Sequence, residues 1–348
     1  MCLLQSYRVR AVENVHELEH GPLAFMNMQL RPLGQTDIRV PPIALGCWPI
    51  SGMTSLDVHE PESLATLAAA LECGINFLDT AYAYGMEGES ERLIARAIAG
   101  RRDEVVIATK GGIEWDQAKT RVLDARPATL RKQCEESLRR LNTDRVELLY
   151  LHAPDPSTPL ADSAGELRRL MEEGKTRSVG VSNFSLGELE AFQAVCPITA
   201  FQPPYNMLQR QIEADSLPWC RERGISVCVY WPLLKGLLAG KLPRDFVFQP
   251  GDGRAKYPMF QGEEWSKNQD FLDTLRQISR DAGKTVAQVV INWTIHQPGI
   301  TSALCGAKRP EQIRETAASA GWQLSAEHRA RLDAALLARG EPCVKRAV

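Results

Sequence analysis

The regular alternation of short apolar runs with amphipathic segments is the feature that most constrains the fold of this chain. Eight apolar runs have the length and composition of buried parallel strands. They are Ile43–Cys47, Ile75–Ala81, Val105–Lys110, Val146–His152, Ser178–Asn183, Ala200–Pro204, Ser226–Trp231 and Ser302–Gly306. Segments of helical periodicity lie between them, such as Pro61–Cys73, Ser90–Ile98 and Thr129–Leu141. Eight strand and helix units in alternation predict an α/β fold of the closed (β/α)8 TIM barrel type.

An open, doubly wound sheet is the alternative architecture for a chain that alternates strands and helices. The dinucleotide-binding version of that sheet carries a GxGxxG motif after its first strand, and no such motif follows Cys47. Two capping boxes, Ser185 with Glu188 and Thr285 with Gln288, mark the starts of two further helices. The barrel is therefore the preferred interpretation.

Both ends of the chain are expected to lie outside the barrel. Residues 1–27 lack the continuous apolar region of a signal peptide, and they are interpreted as a poorly ordered extension. From Leu30 to Val40, two short extended runs flank Gly34-Gln35, which predicts a β-hairpin that closes the bottom of the barrel. Residues 28–340 are expected to form a single barrel domain, followed by a short tail at 341–348.

Composition narrows the possible partners. The net charge of −2 lacks the basic excess typical of nucleic-acid-binding surfaces, and the sequence contains no apolar stretch long enough to cross a membrane. Nine cysteines, an odd number without a CxxC motif, indicate reduced thiols in a cytoplasmic protein, with neither disulfides nor a metal site. The sequence leaves open whether the protein is a monomer or a homo-oligomer.

Polar side chains follow three consecutive strand candidates at the end where barrels carry their active sites. The second strand leads to Asp79, with Tyr84 in the turn beyond it, the third ends at Lys110 and the fourth at His152. Each residue alone has an ordinary structural explanation, such as a capped turn or a hydrogen-bonded core histidine. Four of them on neighbouring strands predict that the side chains converge at one mouth.

These four groups suit the protonation of an oxygen atom. A tyrosine with an unperturbed pKa of about 10 works better as a general acid when a neighbour stabilises its phenolate. Lys110 is the expected neighbour of Tyr84, and Asp79 would keep that lysine charged. His152 would hydrogen-bond the carbonyl oxygen of the substrate. None of the four supplies a hydride, so a cofactor must do so.

The same residues resemble those of the aldo-keto reductase family, from about Leu30 to the helix after Ala326. The segment FLDTAYAYG at 77–85, followed by Glu-Ser-Glu at 89–91, is similar to the first signature of the family. The resemblance implies a barrel fold and a small-molecule carbonyl substrate. It also implies catalytic roles for the residues matched by the family pattern, which are Asp79, Tyr84, Lys110 and His152.

The resemblance further implies a nicotinamide cofactor. The GVSNF segment at 180–184 is similar to the family segment that holds the carboxamide, and the last two strands are followed by phosphate-binding loops. The implied cofactor-binding residues are Ser182, Asn183, Gln202, Tyr230, Leu233, Gly236, Leu237, Gly306, Lys308, Arg309, Gln312 and Glu315. The Gly-Ala-Lys-Arg form at 306–309 is associated in the family with the 2′-phosphate of NADP, which favours NADPH over NADH.

Two positions depart from the family pattern. Trp231 stands where many relatives carry serine, beside the expected pyrophosphate. Thr316 stands where an asparagine usually contacts the adenine. Neither change affects the four residues with implied catalytic roles.

Two functions remain open. One is an NADPH-dependent oxidoreductase that reduces an aldehyde or ketone, with the proton supplied by Tyr84. The other is a nucleotide-binding regulatory or redox-sensing subunit, similar to the channel-associated β subunits of the family. Aromatic residues in the predicted loops at Gly111–Pro127 and Lys235–Trp265 either line an apolar pocket or pack these loops onto the barrel.

Overall fold

Eight parallel strands form a closed barrel, which confirms the predicted fold class. The computed structural model describes residues 28–53 and 57–343, so the predicted extension at 1–27 lies outside the described residues. The strands are β1 (Arg31–Pro32), β2 (Arg39–Val40), β3 (Ile43–Gly46), β4 (Phe77–Asp79), β5 (Val106–Gly111), β6 (Ile113–Trp115), β7 (Arg121–Leu123), β8 (Leu148–Leu151), β9 (Val179–Ser182), β10 (Ala200–Gln202), β11 (Ser226–Tyr230) and β12 (Ile300–Gly306). The barrel runs in the order β3, β4, β5, β8, β9, β10, β11 and β12, and β12 pairs with β3 to close it.

Helices surround the barrel and begin where the sequence provides start signals. They are α1 (Glu60–Glu72), α2 (Glu89–Ala97), α3 (Pro127–Leu141), α4 (Leu160–Glu172), α5 (Leu186–Gln193), α6 (Ser216–Glu222), α7 (Gly262–Asp281), α8 (Val286–Ile295), α9 (Pro310–Ala317) and α10 (Ala326–Arg339). The predicted capping boxes at Ser185 and Thr285 are both present. Within the described ranges, no helix combines the length and apolarity needed to cross a membrane.

The N-terminal hairpin of β1 and β2 covers the amino ends of the barrel strands. Leu33 and Ile38 are buried against the inner face of the barrel, and the Gly34 amide donates to Ser226 Oγ at 2.8 Å, at the start of β11. The predicted hairpin is present, and Gly34-Gln35 forms the centre of a turn in which the Thr36 amide donates to the Leu33 carbonyl at 3.2 Å. The whole connection extends to Ile38, whose carbonyl accepts from the Leu33 amide at 2.9 Å.

The two predicted loops differ in structure. The first contains an additional antiparallel hairpin, β6 with β7, which the sequence analysis did not predict. In the second, loop aromatics pack on one another at centroid distances of 5.0 to 6.1 Å, from Phe246 through Phe248 and Phe260 to Trp265. These side chains also pack against the main hydrophobic core. The observed packing corresponds to the alternative in which aromatics hold the loop on the barrel.

Candidate active site

Strand alternation places polar side chains at the mouth of the barrel. Residues two positions apart on a strand face the same side, and on five strands the inward face changes from an apolar residue to a polar one toward the carboxyl end. The pairs are Phe77 and Asp79, Ala108 and Lys110, Tyr150 and His152, Ala200 and Gln202, and Cys228 and Tyr230. The apolar members fill the barrel interior above the N-terminal hairpin. The polar members therefore share one end of the barrel.

Lys110 and Asp79 form a buried ion pair at the centre of this mouth, as predicted. The Nζ atom of Lys110 lies 2.6 Å from Asp79 Oδ1, and both side chains are at most 3% exposed. The same ammonium donates to the Thr80 carbonyl at 2.8 Å and to Tyr84 Oη at 3.4 Å. Three acceptors fix the position of the lysine charge beside the tyrosine hydroxyl.

Burial works against both charges of this pair. It raises the pKa of Asp79 and lowers the pKa of Lys110, and in each case the partner's opposite charge acts against the shift. Gln202 contributes too, because its Nε2 donates to Asp79 Oδ2 at 2.7 Å. A buried charge costs several kcal/mol without a partner, so each ion depends on the other.

Tyr84 lies between two further rings at the mouth. Its ring meets that of Trp48 edge-on at 5.0 Å and that of His152 at 5.9 Å. Burial, followed by the negative charge of Asp79, raises the pKa of Tyr84 well above 10. Lys110 is the neighbour of this hydroxyl, as expected, and its ammonium lies beside the atom that would carry the charge of a phenolate. Tyr84 carries its proton at neutral pH.

His152 is neutral for a similar reason. Burial lowers its pKa well below 6.5, and the positive charges of Lys110 and Arg121 act in the same direction. Its Nδ1 atom is buried and has no hydrogen-bond partner within the described part of the chain. A neutral imidazole retains one N–H donor and one acceptor, so it can donate a hydrogen bond to an oxygen without carrying charge.

The signature segment also supports this geometry. Gly85 has φ of 110°, and a Cβ atom there would lie 1.9 Å from Glu89 Oε2, so glycine is required at this turn. Ser90 Oγ contacts Thr80 Oγ1 at 2.8 Å and donates to the Cys47 carbonyl at 3.2 Å. These bonds join α2 to the ends of β3 and β4.

A second polar network lies on β9, β10 and β11. Tyr230 Oη donates to Asn183 Oδ1 at 2.7 Å, and Asn183 Nδ2 donates to the His152 carbonyl at 2.9 Å. Ser182 Oγ donates to the Gln202 carbonyl at 2.7 Å. Asn183 adopts φ of 65°, a conformation that asparagine tolerates better than most residues. The four residues assigned to the nicotinamide thus adjoin the residues assigned to proton transfer.

The loop after β11 is strained in a way that suits an anion. Leu233 has φ of −97° and ψ of 11°, and Leu234 follows with φ of 43°. Such a change of hand turns successive backbone amides toward one side, as in an anion-binding nest. Two of these amides are already engaged, since Leu234 donates to the Trp231 carbonyl at 2.8 Å and Gly236 to the Leu233 carbonyl at 2.9 Å. Lys235 and Gly236 continue the left-handed run at φ of 54° and 89°. Such strain in non-glycine residues is concentrated at functional sites.

Aromatic side chains hold this strained loop. The ammonium of Lys235 lies 4.1 Å from the centroid of the Trp231 ring and 4.5 Å from that of Tyr257. Both distances are within the range of a cation–π interaction. Trp231, which departs from the family pattern and has φ of 59°, therefore contributes to the shape of the loop.

The loop after β12 carries the residues assigned to the adenosine end of the cofactor. The Arg309 guanidinium lies 3.3 Å from Glu62 on α1, and Glu315 pairs with Lys241 at 2.8 Å. Gln312 Oε1 accepts hydrogen bonds from the Lys308 and Arg309 amides at 2.8 and 3.2 Å, at the start of α9. Arg309 and Glu315 are thus both engaged in ion pairs with other side chains. To contact a nucleotide, each of them would have to leave its present partner.

These features fit a nicotinamide nucleotide. The left-handed turn at Leu233–Gly236 lies where the pyrophosphate is expected, and Gly306 leaves room for the segment after β3, because a Cβ there would lie 2.8 Å from Pro49 Cγ. Gln202 retains its amide oxygen for a further contact while its nitrogen donates to Asp79. The site would hold such a cofactor between β9–β11 and the start of α9.

Trp48 was missed from the sequence, whereas Trp115 is one of the aromatic residues of the first predicted loop and only its contact was missed. Trp48, which packs on Tyr84, follows the first strand directly in the segment Gly46-Cys47-Trp48, so its place at a strand end was a usable signal. Trp115 lies in the unpredicted hairpin and donates from Nε1 to the Ala83 carbonyl at 2.8 Å. Local sequence patterns cannot predict this hydrogen bond, because its two residues are 32 positions apart and lie in different loops.

Comparison with known proteins gives a consistent result. The sequence model of the Aldo/keto reductase family matches residues 42–337. Aldo-keto reductase YhdN of Bacillus subtilis is 36% identical over 306 residues, covering 86% of this chain and 91% of that protein. The NADH-specific methylglyoxal reductase of Escherichia coli is 34% identical, covering 86% and 95%. The structure of glycerol dehydrogenase AKR11B4 from Gluconobacter oxydans has a TM-score of 0.84 at 34% identity, covering 92% of this chain and 98% of that one.

Proposed function

This chain belongs to the aldo/keto reductase family, and from that premise we propose that it reduces an aldehyde or ketone to an alcohol. NADPH is the proposed cofactor and Tyr84 the proposed proton donor. The observation that carries the proposal is the contact between Tyr84 Oη and the buried ammonium of Lys110 at 3.4 Å. It joins a protonated phenol to a fixed positive charge at the mouth of the barrel.

The chemistry follows from where the charges develop. A nicotinamide bound at this mouth would supply the hydride for the carbonyl carbon, so that negative charge develops on the carbonyl oxygen. Tyr84 transfers its proton to that oxygen, which leaves a phenolate next to Lys110. Because the ammonium is held by Asp79 and Thr80 before the reaction, it stabilises the new negative charge without reorganisation.

His152 and Trp48 complete the proposed substrate contacts. His152 is neutral, and its partly buried ring lies beside that of Tyr84, so it can donate a hydrogen bond to the same carbonyl oxygen. Trp48 covers the other side of the Tyr84 ring and helps to exclude water. Exclusion of water strengthens every electrostatic interaction within the site.

The choice of NADPH rests on the basic residues before α9. Lys308 and Arg309 lie at the amino end of this helix, where free amides and the helix dipole favour an anion. A 2′-phosphate placed there would compete with Glu62 for the Arg309 guanidinium. One relative is NADH-specific by name, so the two cofactors must be compared directly.

The test is a titration of the purified protein with NADPH and, separately, NADH, followed by protein fluorescence. A panel of aryl and short-chain aldehydes is then added while the nicotinamide absorbance is recorded. Oxidation of NADPH by at least one aldehyde is the expected result. Tight nucleotide binding without turnover across the panel would contradict a reductase and support a regulatory or redox-sensing subunit.

A further inference from the structure

The hairpin of β6 and β7 has one face toward the mouth of the barrel. Residues directly opposite each other in an antiparallel pair share a face, as do residues two positions apart. Ile113 lies opposite Leu123, and Trp115 lies opposite Arg121. These four side chains therefore share one face, and Glu114 and its partner lie on the other.

Packing shows which face is turned toward the active site. Ile113 is buried in a cluster with Ala83 and Ala153, and Trp115 and Leu123 pack against the same cluster. Ala83 immediately precedes Tyr84, and Ala153 immediately follows His152. The Trp115 indole also donates to the Ala83 carbonyl at 2.8 Å. The face that carries Arg121 thus rests on the segments that position the proposed proton donor and its neighbour.

Arg121 is an exposed cation on this face without a protein partner. Its guanidinium makes no hydrogen bond or ion pair within residues 28–53 and 57–343. Two acidic residues near Arg121 in sequence are already engaged: Asp124 pairs with Arg126 at 2.5 Å, and Asp116 accepts from the Thr120 amide at 2.8 Å. Glu114 lies on the other face of the hairpin. Arg121 is therefore available to an anion at the mouth.

The charge of Arg121 is felt inside the site. After burial and Lys110, it is a further cause that lowers the pKa of His152. For Tyr230, burial raises the pKa, and Arg121 acts in the opposite direction. His152 follows β8, and Tyr230 ends β11. The positive charge of Arg121 therefore acts on residues of two different strands at the mouth of the barrel.

We propose that Arg121 is a specificity-determining residue that binds an anionic oxygen group of the substrate, at the end remote from the carbonyl. The preferred substrate class is an aldehyde or ketone that carries a carboxylate or a phosphate. A guanidinium binds either group through two parallel hydrogen bonds, and the adjacent Trp115 offers an apolar wall for the carbon chain. This inference rests on the proposed reductase function and adds the identity of the substrate to it.

Matched substrate pairs separate the effect of charge from the chemical step. One pair is 4-carboxybenzaldehyde and its methyl ester, and the other is glyceraldehyde 3-phosphate and glyceraldehyde. The measured quantity is the ratio of kcat/KM for the anionic member to kcat/KM for the neutral member. The variants are Arg121→Gln, Arg121→Lys and Arg121→Glu. The control is Arg39→Gln, because Arg39 is an exposed arginine of β2 at the opposite end of the barrel.

In at least one pair, Arg121→Gln is expected to lower this ratio roughly tenfold, mainly through KM for the anionic member. Arg121→Glu should lower it further by repulsion, and Arg121→Lys should keep part of it as a point charge. The wild-type ratio should also fall as salt is raised, because the group is exposed. Arg39→Gln should leave both ratios at the wild-type value. The pair that responds identifies the anion as a carboxylate or a phosphate.

Two results would overturn the inference in different ways. Turnover by the wild-type protein with ratios unchanged in Arg121→Gln and Arg121→Glu would mean that Arg121 is only solvated, and the proposed function would stand. Turnover of an aldehyde of the panel but of neither anionic member would overturn this inference alone, whereas absence of turnover with both pairs and with the whole panel would overturn the proposed function as well.

Discussion

The two sides of the barrel mouth are built differently. On β4 and β5, Asp79 and Lys110 are buried, and their ion pair is further fixed by Thr80 and Gln202. At the start of α9, by contrast, Lys308 is partly exposed, and Arg309 is half exposed in a 3.3 Å pair with Glu62. The acid side is a desolvated and rigid network, and the phosphate side consists of surface ion pairs.

This difference indicates which properties the fold determines and which can vary. A buried ion pair tolerates no single replacement, because the remaining charge would be left without a partner. Exposed ion pairs contribute little to stability, so the residues proposed to contact the cofactor phosphate can change at low cost. The same scaffold can therefore serve relatives of different cofactor choice, one of which is NADH-specific by name.

The largest effect is expected when the buried ion pair between Lys110 and Asp79 is broken. Lys110→Met leaves Asp79 as a buried carboxylate without its counterion at 2.6 Å, so the free energy of unfolding should fall by about 3 kcal/mol or more. Urea unfolding measures this loss. The double variant Asp79→Asn with Lys110→Met removes both charges and should recover part of it. A loss below roughly 1 kcal/mol in Lys110→Met would show that water reaches the pair.

The second effect concerns His152 and acid stability. Its pKa in the folded protein is lowered well below 6.5, so below pH 6.5 the unfolded chain binds a proton that the folded protein does not. Folding stability is therefore lost as the pH falls, by up to about 1.4 kcal/mol per pH unit from this residue. Urea unfolding between pH 7.5 and 4.5 should show a shallower loss in His152→Gln. Identical pH dependence in both proteins would place His152 in contact with solvent.

The third effect tests the phosphate side. Arg309→Ala should weaken NADPH binding roughly tenfold, with little change for NADH, because only NADPH carries the 2′-phosphate. Arg314→Ala provides the control, since Arg314 lies on the same helix and pairs with Glu72 instead. Fluorescence titration measures both dissociation constants. An equal loss for the two nucleotides would remove the 2′-phosphate assignment.

The smallest effect concerns the strained loop between the two sides. Lys235→Met removes the cation held between Trp231 and Tyr257, an interaction of about 0.5–1 kcal/mol. Affinity for NADPH and NADH should fall equally, roughly threefold, because the pyrophosphate is common to both. Lys256→Met is the control, since its ammonium lies 5.9 Å from the same Tyr257 ring. Unchanged affinity for both nucleotides would separate the aromatic contacts from cofactor binding.

The sequence predicted the barrel and the strand ends because these depend on local periodicity. The eight strand candidates agree with the barrel strands to within a few residues, and the strand register then places Asp79, Lys110 and Gln202 on the inner face. The raised pKa of Tyr84 could not be predicted from the sequence, since burial depends on contacts such as that with Trp48. The β6–β7 hairpin was not predicted, because a contact that holds it, from the Trp115 indole to the Ala83 carbonyl, joins residues far apart in sequence.

Tyr84→Phe tests the central claim most directly, because it keeps the ring that packs on Trp48 and removes only the proposed proton donor. On one preparation, fluorescence titration gives the NADPH dissociation constant, and nicotinamide absorbance gives kcat with the best aldehyde of the panel. We predict a fall in kcat of roughly 10²-fold or more, with the dissociation constant nearly unchanged. Turnover equal to that of the wild-type protein would contradict the assignment of Tyr84 as the acid.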